Sequence, residues 1–425
     1  MKEIRTASKI DMTVEVPGSK SLTQRALIAA ALADGESLLY GPLASEDTEY
    51  TSAALRAMGV AIDIEPEFWR VRGRAGQIIC PDDDIYLGNN GTATRFLTSV
   101  AALGCGRFRI IGDRRMAERP IEPLLSALKG WGVDIRSVHG TGCPPIEIKA
   151  NGIRGGHTVL PEGKSSQYLS SLLLVAPFAE AQAELEVTGE VLSKPYVRMT
   201  MAVMTDFGTE VIANDSLTRF MIGQGGYRAR EYRIEGDASS ASYFWAAAAI
   251  TGGRVTVANV PDPSLQGDAV FVDILRRMGC RVESDGRGIT VHGPEQLNAV
   301  DVDMADCPDV VPTLAVVASF AKGRTVIRNI AHLRIKECDR LHVMAGQLAK
   351  IGVKTEEQPD TLIIEGQGLN AAGLHGIEID TYNDHRIAMS FAVAGLVVPG
   401  MVILGEECVA KSFPDFWQRF SLLYG

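Results

Sequence analysis

Hydrophobic positions along the chain predict two kinds of helix. In the first kind, a large apolar residue stands four positions before a glycine that ends the helix. The segments of this kind are 55–59, 128–132, 204–208, 275–279 and 348–352. A glycine just past a helix can end it by adopting the left-handed conformation, because a residue without a side chain meets no steric clash there. We expect these helices to end in that way.

These glycines recur at nearly constant intervals. Successive steps are 73, 76, 71 and 73 residues, and a further step of 73 reaches Gly425. Regular spacing of this kind is typical of repeated structural units, and several of the glycines precede a short strand pattern. We therefore predict six copies of one α/β unit. The alternative is a chance spacing among 43 glycines.

Helices of the second kind are apolar on every side. They are predicted at 170–179, 242–250, 312–321 and 387–398. Such a helix must be buried all round, which predicts an arrangement with helices inside and sheets outside. If the N-termini of these helices meet at one surface, their N–H groups and dipoles favour an anion there.

Length and composition narrow the class of protein. A chain of 425 residues is too long for one hydrophobic core of usual size, so two or more domains are expected. The net charge of −10 argues against a surface for nucleic acid or anionic lipid. The charged N-terminus predicts no signal peptide, and no apolar run is long enough to span a membrane. Seven scattered cysteines indicate reduced thiols in the cytosol.

Three polar segments in the first third of the chain place cations at turns of small residues. Residues 17–25 carry Lys20 and Arg25 before an apolar helix, and 87–95 form a turn around Gly91. Residues 113–121 hold three arginines within six positions, and we predict Pro120 in the first turn of a helix. Each segment alone is explained as well by a capped helix or a solvated basic loop.

Five later segments add hydroxyls, carboxylates and more cations. They are 163–168, 193–196, 306–309, 334–340 and 382–386, with a weaker one at 410–414. Asp309 stands at the mouth of an apolar helix, where a carboxylate can cap the helix or act as a base. A chain of net charge −10 that concentrates cations at such turns points to compact substrates with several negative charges.

Taken together, these segments resemble the EPSP synthase family of enolpyruvyl transferases, from about residue 17 to residue 414. The most specific matches are 17–21 with Arg25, 88–92, 115–116 with 119–121, 336–337 with 339–340, and 384–386. The resemblance implies an α/β fold of two inside-out domains, each of three βαβαββ repeats. It places residues 1–19 and 236–425 in domain I, residues 20–235 in domain II, and the active site in the cleft between them.

The resemblance also implies a reaction. The family transfers the enolpyruvyl group of phosphoenolpyruvate to the 5-hydroxyl of shikimate 3-phosphate by addition and elimination, in aromatic amino-acid biosynthesis. It needs no metal or organic cofactor. We expect a cytoplasmic monomer whose partners are these two small molecules, with neither nucleic acid nor membrane.

Roles for individual residues follow by matching positions. Asp309 is implied as the base for the 5-hydroxyl and Glu337 as the proton carrier for C3 of phosphoenolpyruvate, with Lys20 a possible helper. Phosphoenolpyruvate is expected to contact Lys20, Gly91, Arg119, Gln167, Arg340, Arg386 and Lys411. Shikimate 3-phosphate is expected to contact Ser21, Arg25, Ser165, Ser166, Gln167, Ser193, Tyr196, Asp309 and Lys336. Asn89 and His385 are expected to support the geometry, and no metal ligand is predicted.

Some positions depart from the family pattern. Asn90 stands where Ala or Ser is common, Cys338 replaces Thr or Ser, and His332 replaces an Asn of some members, which leaves one substrate contact open. Gly91 is typical of the glyphosate-sensitive form, so inhibition competitive with phosphoenolpyruvate is expected.

Three other functions compete with this one. A UDP-N-acetylglucosamine enolpyruvyl transferase typically has a cysteine near the arginine segment, and 113–121 has none. A non-catalytic anion-binding protein of the same fold would need the cations but not Asp309 and Glu337. An enzyme acting on RNA ends is disfavoured by the acidic composition.

Overall fold

A computed structural model describes residues 1–162 and 165–424 of the chain. It divides into two compact units, which we call unit 1 (Met1–Pro17 and Glu235–Gly425) and unit 2 (Gly18–Ile234). The domain bounds expected from the sequence differ from these by one or two residues. Across the described residues, no helix combines the length and the apolar character that crossing a membrane requires.

Short strands and helices alternate along both units. The strands are β1 (Lys2–Glu3), β2 (Asp11–Val14), β3 (Asp34–Tyr40), β4 (Ala61–Ile64), β5 (Phe68–Arg74), β6 (Ile85–Tyr86), β7 (Cys105–Ile111), β8 (Asp134–Ser137), β9 (Ile146–Asn151), β10 (Gly156–Leu160), β11 (Ala183–Val187), β12 (Val211–Ala213), β13 (Arg219–Ile222), β14 (Glu231–Arg233), β15 (Arg254–Val257), β16 (Arg281–Ser284), β17 (Ile289–His292), β18 (Leu297–Asn298), β19 (Asp301–Asp303), β20 (Ala321–Arg328), β21 (Lys354–Glu357), β22 (Leu362–Gln367), β23 (Glu378–Asp380) and β24 (Val402–Leu404). The helices are α1 (Lys20–Leu32), α2 (Glu46–Ala57), α3 (Gly91–Ala101), α4 (Glu122–Gly130), α5 (Ser166–Val175), α6 (Lys194–Asp206), α7 (Ala238–Thr251), α8 (Phe271–Arg277), α9 (Val311–Ser319), α10 (Arg340–Lys350), α11 (His385–Gly395) and α12 (Phe416–Ser421).

The described residues form six sheets, three in each unit. Five of them share one order, in which a parallel pair is extended by two antiparallel strands; β6-β7-β9-β8 is an example. In that example α3 joins the parallel strands and α4 leads to the antiparallel pair, which is the predicted βαβαββ repeat. One of the five, β18-β20-β22-β21, has a fifth strand, β19, which also pairs parallel with β20. Two of the five sheets take their first strand from a distant part of the chain, namely β14 beside β3 and β2 beside β15.

The sixth sheet departs from the predicted repeat. It has three strands, in the order β1-β24-β23, and β1 pairs antiparallel with β24. The sixth copy is therefore shorter than the βαβαββ unit that we expected.

The predicted glycine closures are all present in the described residues. Five glycines have φ angles of +86° to +108°, and each lies two positions past the last residue of its helix, α2, α4, α6, α8 or α10; they are Gly59, Gly132, Gly208, Gly279 and Gly352. At the end of α2, the N–H of Val60 bonds the carbonyl of Leu55, and the N–H of Gly59 bonds that of Arg56. The other four helices repeat both hydrogen bonds, which define the Schellman motif. Gly425, the expected sixth closure, lies outside the described residues.

The second kind of helix is buried as predicted. Every residue of α9 and α11 is buried, as is nearly every residue of α1, α3, α5 and α7. Each unit packs three of these six helices into its own apolar core.

Several local predictions were wrong in detail. The helices predicted at 170–179 and 387–398 end at Val175 and Gly395. The helix predicted to run to residue 321 ends at Ser319, because Ala321 begins β20. Pro120 lies before helix α4, which begins at Glu122 and carries Pro123 in its first turn instead. Pro123 suits that place because a first-turn N–H has no partner within the helix.

Candidate active site

The N-terminus of α1 places Lys20 in a polar environment inside unit 2. Ser19 caps the helix by accepting a hydrogen bond from the N–H of Leu22, 3.4 Å away. Lys20 Nζ lies 3.0 Å from Asp47 Oδ2 of α2, and the two side chains are 15% and 5% exposed. Lys20 is thus held in a fixed place by a buried carboxylate that the sequence did not suggest.

Arg25, one turn further along α1, is buried among neutral groups. Its Nε donates to Thr200 Oγ1 at 2.7 Å, and its two Nη atoms donate to Ser170 Oγ and to the carbonyls of Ser21 and Tyr196. No carboxylate of the described residues forms an ion pair with it. Burial lowers the pKa of Arg25 to about 10, so the guanidinium stays protonated at neutral pH. A buried cation held by hydroxyls and carbonyls is suited to an anionic ligand.

Arg119 lies against the turn that begins α3. Its Nη1 donates to the backbone oxygen of Asn89 at 3.2 Å and to Asn89 Oδ1 at 3.0 Å, and the residue is 4% exposed. A Cβ on Gly91 would lie 2.4 Å from Arg119 Nη2, well inside contact distance. The absence of a side chain at Gly91 is what allows Arg119 to occupy this place.

Asn90 gives this turn its shape. Its Oδ1 accepts from the N–H of Ala93 and so caps α3, while its Nδ2 donates to the carbonyl of Asp47 at 2.6 Å. Asn90, where Ala or Ser is common, therefore ties α3 to α2, the helix whose Asp47 pairs with Lys20.

The first turn of α5 contributes three of the predicted polar residues, Ser165, Ser166 and Gln167. Gln167 Nε2 donates to Thr92 Oγ1 of α3 at 3.1 Å. Ser165 occupies the N-cap position without a side-chain cap bond, and Ser166 is buried in the first turn. Gly163 and Lys164, which belong to the same predicted segment, lie outside the described residues.

Ser193 and Tyr196 lie where α6 begins. Ser193 is the N-cap residue and adopts a left-handed conformation with φ of +57°. The ring of Tyr196 lies 5.9 Å from Arg25 Cζ. Strain of this kind in a residue other than glycine is often found at functional sites.

Unit 1 holds a second cluster, centred on Asp309. Asp309 Oδ2 lies 2.7 Å from Arg386 Nη2, and Oδ1 lies 3.3 Å from Arg340 Nη1 and 3.8 Å from Lys336 Nζ. Asp309 is not an N-cap residue: it lies in a short 3-10 turn before α9, and Val310 occupies the N-cap position of that helix. One carboxylate is thus surrounded by three cations.

Glu337 belongs to the same cluster. Its two oxygens lie 2.8 Å from Arg340 Nη2 and 3.6 Å from Lys411 Nζ. Arg340 is 1% exposed and also pairs with Asp384, whose Oδ2 lies 2.7 Å from its Nε. Burial alone would lower the pKa of Arg340, but the carboxylates of Asp384, Glu337 and Asp309 together raise it. The segment 334–340 is therefore not simply a solvated charged face.

Three further buried groups adjoin this cluster. Burial, and then the charge of Lys336, lowers the pKa of His332 to about 4, so its imidazole is neutral at pH 7. Burial, and then the charge of Asp309, raises the pKa of Asp268 to about 6, and Asp268 accepts a hydrogen bond from Ser239. His385 is fully buried in the first turn of α11.

The predicted site residues thus form two clusters, one in each unit. Unit 2 gathers Lys20, Ser21, Arg25, Asn89, Gly91, Arg119, Ser165, Ser166, Gln167, Ser193 and Tyr196 around the first turns of α1, α3, α5 and α6. Unit 1 gathers Asp309, Lys336, Glu337, Arg340, His385, Arg386 and Lys411. Sequence reasoning missed Asp47, which stands in an ordinary acidic first turn of α2 and carries no signal of its own. It also assigned no role to Asp384, although the motif that contains it was noted.

Comparisons with known proteins show which family the chain belongs to. A sequence profile of the family described as EPSP synthase (3-phosphoshikimate 1-carboxyvinyltransferase) matches residues 4–420. Two proteins named 3-phosphoshikimate 1-carboxyvinyltransferase, from Nostoc punctiforme and Syntrophobacter fumaroxidans, are each 44% identical to the chain. The first alignment covers 97% of this chain and 96% of the relative, and the second covers 99% of each.

A solved structure confirms the predicted fold. The EPSP synthase of Acinetobacter baumannii is 28% identical and superposes with a TM-score of 0.83, over 99% of this chain and 97% of that one. These matches do not favour the UDP-N-acetylglucosamine enzyme as an alternative. By sequence and by fold, the chain belongs to the EPSP synthase (3-phosphoshikimate 1-carboxyvinyltransferase) family, a family of transferases.

Proposed function

We propose that this chain transfers the enolpyruvyl group of phosphoenolpyruvate to the 5-hydroxyl of shikimate 3-phosphate. The products are 5-enolpyruvylshikimate 3-phosphate and inorganic phosphate. Family membership supports the reaction, and the two clusters supply groups of the kinds that it needs.

The Arg25 cluster of unit 2 is suited to the phosphate of shikimate 3-phosphate. A guanidinium that already donates to the hydroxyls of Thr200 and Ser170 is preorganised, because its position is fixed before the ligand arrives. Ser165 and Ser166, together with Ser193, would add hydroxyl donors. Tyr196 would lie against the sugar-like ring of the acceptor.

The observation that carries the proposal is the pair of carboxylates in unit 1. Asp309 and Glu337 both contact Arg340, and each has a further cation of its own. In a protein that only bound anions, two carboxylates among the cations would weaken binding, because they repel the ligand. An addition–elimination reaction, in contrast, needs groups that accept and deliver protons.

The steps can be assigned on this basis. Asp309 removes the proton of the 5-hydroxyl as its oxygen attacks C2 of phosphoenolpyruvate, and Glu337 delivers a proton to C3, with Lys20 a possible helper. The tetrahedral ketal phosphate then expels phosphate and regenerates the double bond as C3 returns its proton. Cations from both clusters offset the mutual repulsion of the two anionic substrates. Positioning can supply about 7–11 kcal/mol of the barrier lowering.

We further propose that both clusters act on one pair of substrates, with His385 and Asn89 as supporting residues. Phosphoenolpyruvate would then contact Lys20, Gly91, Arg119 and Gln167 of unit 2 and Arg340, Arg386 and Lys411 of unit 1. The monomeric state and the cytoplasmic location stay predictions; the seven cysteines, all described as free thiols, support the second.

The reaction is tested by measuring phosphate release from phosphoenolpyruvate with each candidate acceptor. We expect release with shikimate 3-phosphate and none above background with UDP-N-acetylglucosamine. Product identity is checked by NMR, through the vinyl protons of the enol ether. Release with the second acceptor only would overturn the proposal.

A second experiment separates an enzyme from an anion-binding protein. Asp309→Asn and Glu337→Gln keep the size of each side chain and should each lower kcat by about 10²- to 10⁴-fold while shikimate 3-phosphate still binds. Asp301→Asn is the matched control, because Asp301 forms an exposed ion pair with Arg328 in the same unit. If both site variants turned over like this control, the carboxylates would have no catalytic role.

A further inference from the structure

Tyr168, to which neither the family resemblance nor the sequence motifs give a role, lies next to Gln167 in the first turn of α5. The residue is 3% exposed, and its hydroxyl donates to the carbonyl of Pro120 at 2.6 Å. Burial raises the pKa of this phenol, so it remains a proton donor at neutral pH. Pro120 directly follows Arg119, the residue that we expect to bind phosphoenolpyruvate.

The peptide unit after Pro120 is held from several sides. Arg95 Nη2 donates to the same carbonyl at 2.8 Å, and the N–H of Ile121 donates to the carbonyl of Gly142 at 2.8 Å. A carbonyl oxygen has two lone pairs, and here Tyr168 and Arg95 provide a donor for each. Arg95 also donates from Nη1 to the carbonyl of Gly91 at 3.0 Å, and so links this peptide to the start of α3.

Arg119 has little room to move if this peptide shifts. Its guanidinium lies against the backbone of Gly91 on one side and donates to Asn89 on another. A shift of the backbone after Arg119 would therefore push the guanidinium into Gly91 or break its bonds to Asn89. Tyr168 belongs to α5, and Arg119 does not. The hydrogen bond from the Tyr168 hydroxyl to the Pro120 carbonyl therefore restrains this shift from a separate helix.

We propose that Tyr168 is a positioning residue for Arg119: its hydrogen bond to the Pro120 carbonyl fixes the guanidinium and so sets the affinity for phosphoenolpyruvate. The inference rests on the proposed function, because it assigns Arg119 to that substrate. It predicts that loss of the hydroxyl changes KM for phosphoenolpyruvate and leaves KM for shikimate 3-phosphate unchanged.

Tyr168→Phe removes the hydroxyl and keeps the ring. Loss of one hydrogen bond corresponds to about a fivefold effect, so KM for phosphoenolpyruvate should rise about fivefold. The KM for shikimate 3-phosphate and kcat should stay within about twofold of the original chain, because Arg25 and the carboxylates are untouched.

Tyr227→Phe is the matched control. Tyr227 is also 3% exposed, and its hydroxyl donates to the carbonyl of Leu174, at the other end of the same helix, at 2.8 Å. The control should lose stability to a similar degree, seen as a lower midpoint of urea unfolding, and leave both KM values unchanged. A purely structural role for Tyr168 would make the two variants alike in both measurements, which would overturn the inference.

A double-variant experiment tests whether the effect passes through Arg119. In an Arg119→Lys background, Tyr168→Phe should change kcat/KM for phosphoenolpyruvate by less than about twofold, since residues that act as a unit are not additive. Independent, multiplicative losses would contradict the inference. If the original chain released no phosphate from the two substrates, the proposed function itself would fail. Normal release with an unchanged Tyr168→Phe variant would overturn the role of Tyr168 alone.

Discussion

The contact between Gly91 and Arg119 allows one prediction to be worked out in detail. Gly91→Ala adds a methyl group whose carbon would lie 2.4 Å from Arg119 Nη2, 2.8 Å from Cζ and 3.0 Å from Nη1. Carbon atoms do not approach side-chain atoms this closely, so one of the two groups must move. Gly91 is the first residue of α3 and is held by the helix, and the guanidinium will therefore move.

The size of the effect follows from what the guanidinium loses. A relief of the overlap requires a displacement of about 1 Å, and a misplacement of that size in a site can cost about a hundredfold in rate. Loss of a hydrogen bond made by a charged group, such as those to Asn89, costs about 1.5–3 kcal/mol. We therefore expect KM for phosphoenolpyruvate to rise about 10- to 100-fold, with a small change in KM for shikimate 3-phosphate.

The assay is steady-state phosphate release with one substrate varied and the other saturating. Gly346→Ala is the control, because an added Cβ there meets nothing within 4 Å and the residue lies within helix α10. That change should stabilise the helix by about 0.5–1 kcal/mol and leave both KM values unchanged. A Gly91→Ala variant whose KM for phosphoenolpyruvate stayed within twofold would refute the reasoning, because it would mean that Arg119 does not need its present place.

Three further predictions concern other parts of the two clusters. Arg25→Gln should raise KM for shikimate 3-phosphate about 10- to 100-fold with little effect on phosphoenolpyruvate, because it removes a charge-assisted contact; equal effects on both substrates in the phosphate-release assay would contradict this. The pKa of His332 is lowered from 6.5 to about 4 in the folded chain, so the unfolded chain binds the proton first and the folded chain loses stability as the pH falls from about 6.5 to 4. The free energy of unfolding is measured with urea at pH 7 and at pH 4.5. Its decrease from pH 7 to pH 4.5 should be smaller in His332→Asn than in the original chain, by up to about 3 kcal/mol; an equal decrease would argue against a buried neutral imidazole. Glyphosate should inhibit competitively with phosphoenolpyruvate, and unchanged turnover at about millimolar inhibitor would contradict the assignment of Gly91 and Arg119 to that subsite.

Periodic backbone features could be predicted from the sequence because they depend on local physics. A glycine that closes a helix can be recognised from the large apolar residue four positions before it, as at Gly59 and Gly132. A helix that is buried on every side can be recognised from its apolar composition. The predicted ends of helices were less accurate. A buried helix such as α9 and the strand that follows it, β20, are both apolar where they meet, so the sequence does not mark the boundary.

The cations of the site were easier to predict from the sequence than the carboxylates with which they form ion pairs. Lys20 and Arg340 could be named from their motifs, but their carboxylate partners Asp47 and Asp384 come from other segments, and only the fold brings them together. Nothing in the sequence around Tyr168 suggests a bond to Pro120, which lies 48 positions earlier in the chain. Charge pairs and side-chain to backbone bonds across segments depend on tertiary packing, which residue patterns do not encode locally.

A crystal structure with shikimate 3-phosphate and a phosphoenolpyruvate analogue would test most directly the claim that cations from both units hold one pair of anions. The account predicts that the acceptor phosphate lies on Arg25 and Ser166. It also predicts that the analogue contacts Arg119 of unit 2 and Arg386 of unit 1 at the same time. An acceptor phosphate bound elsewhere, or an analogue held by one unit alone, would contradict it.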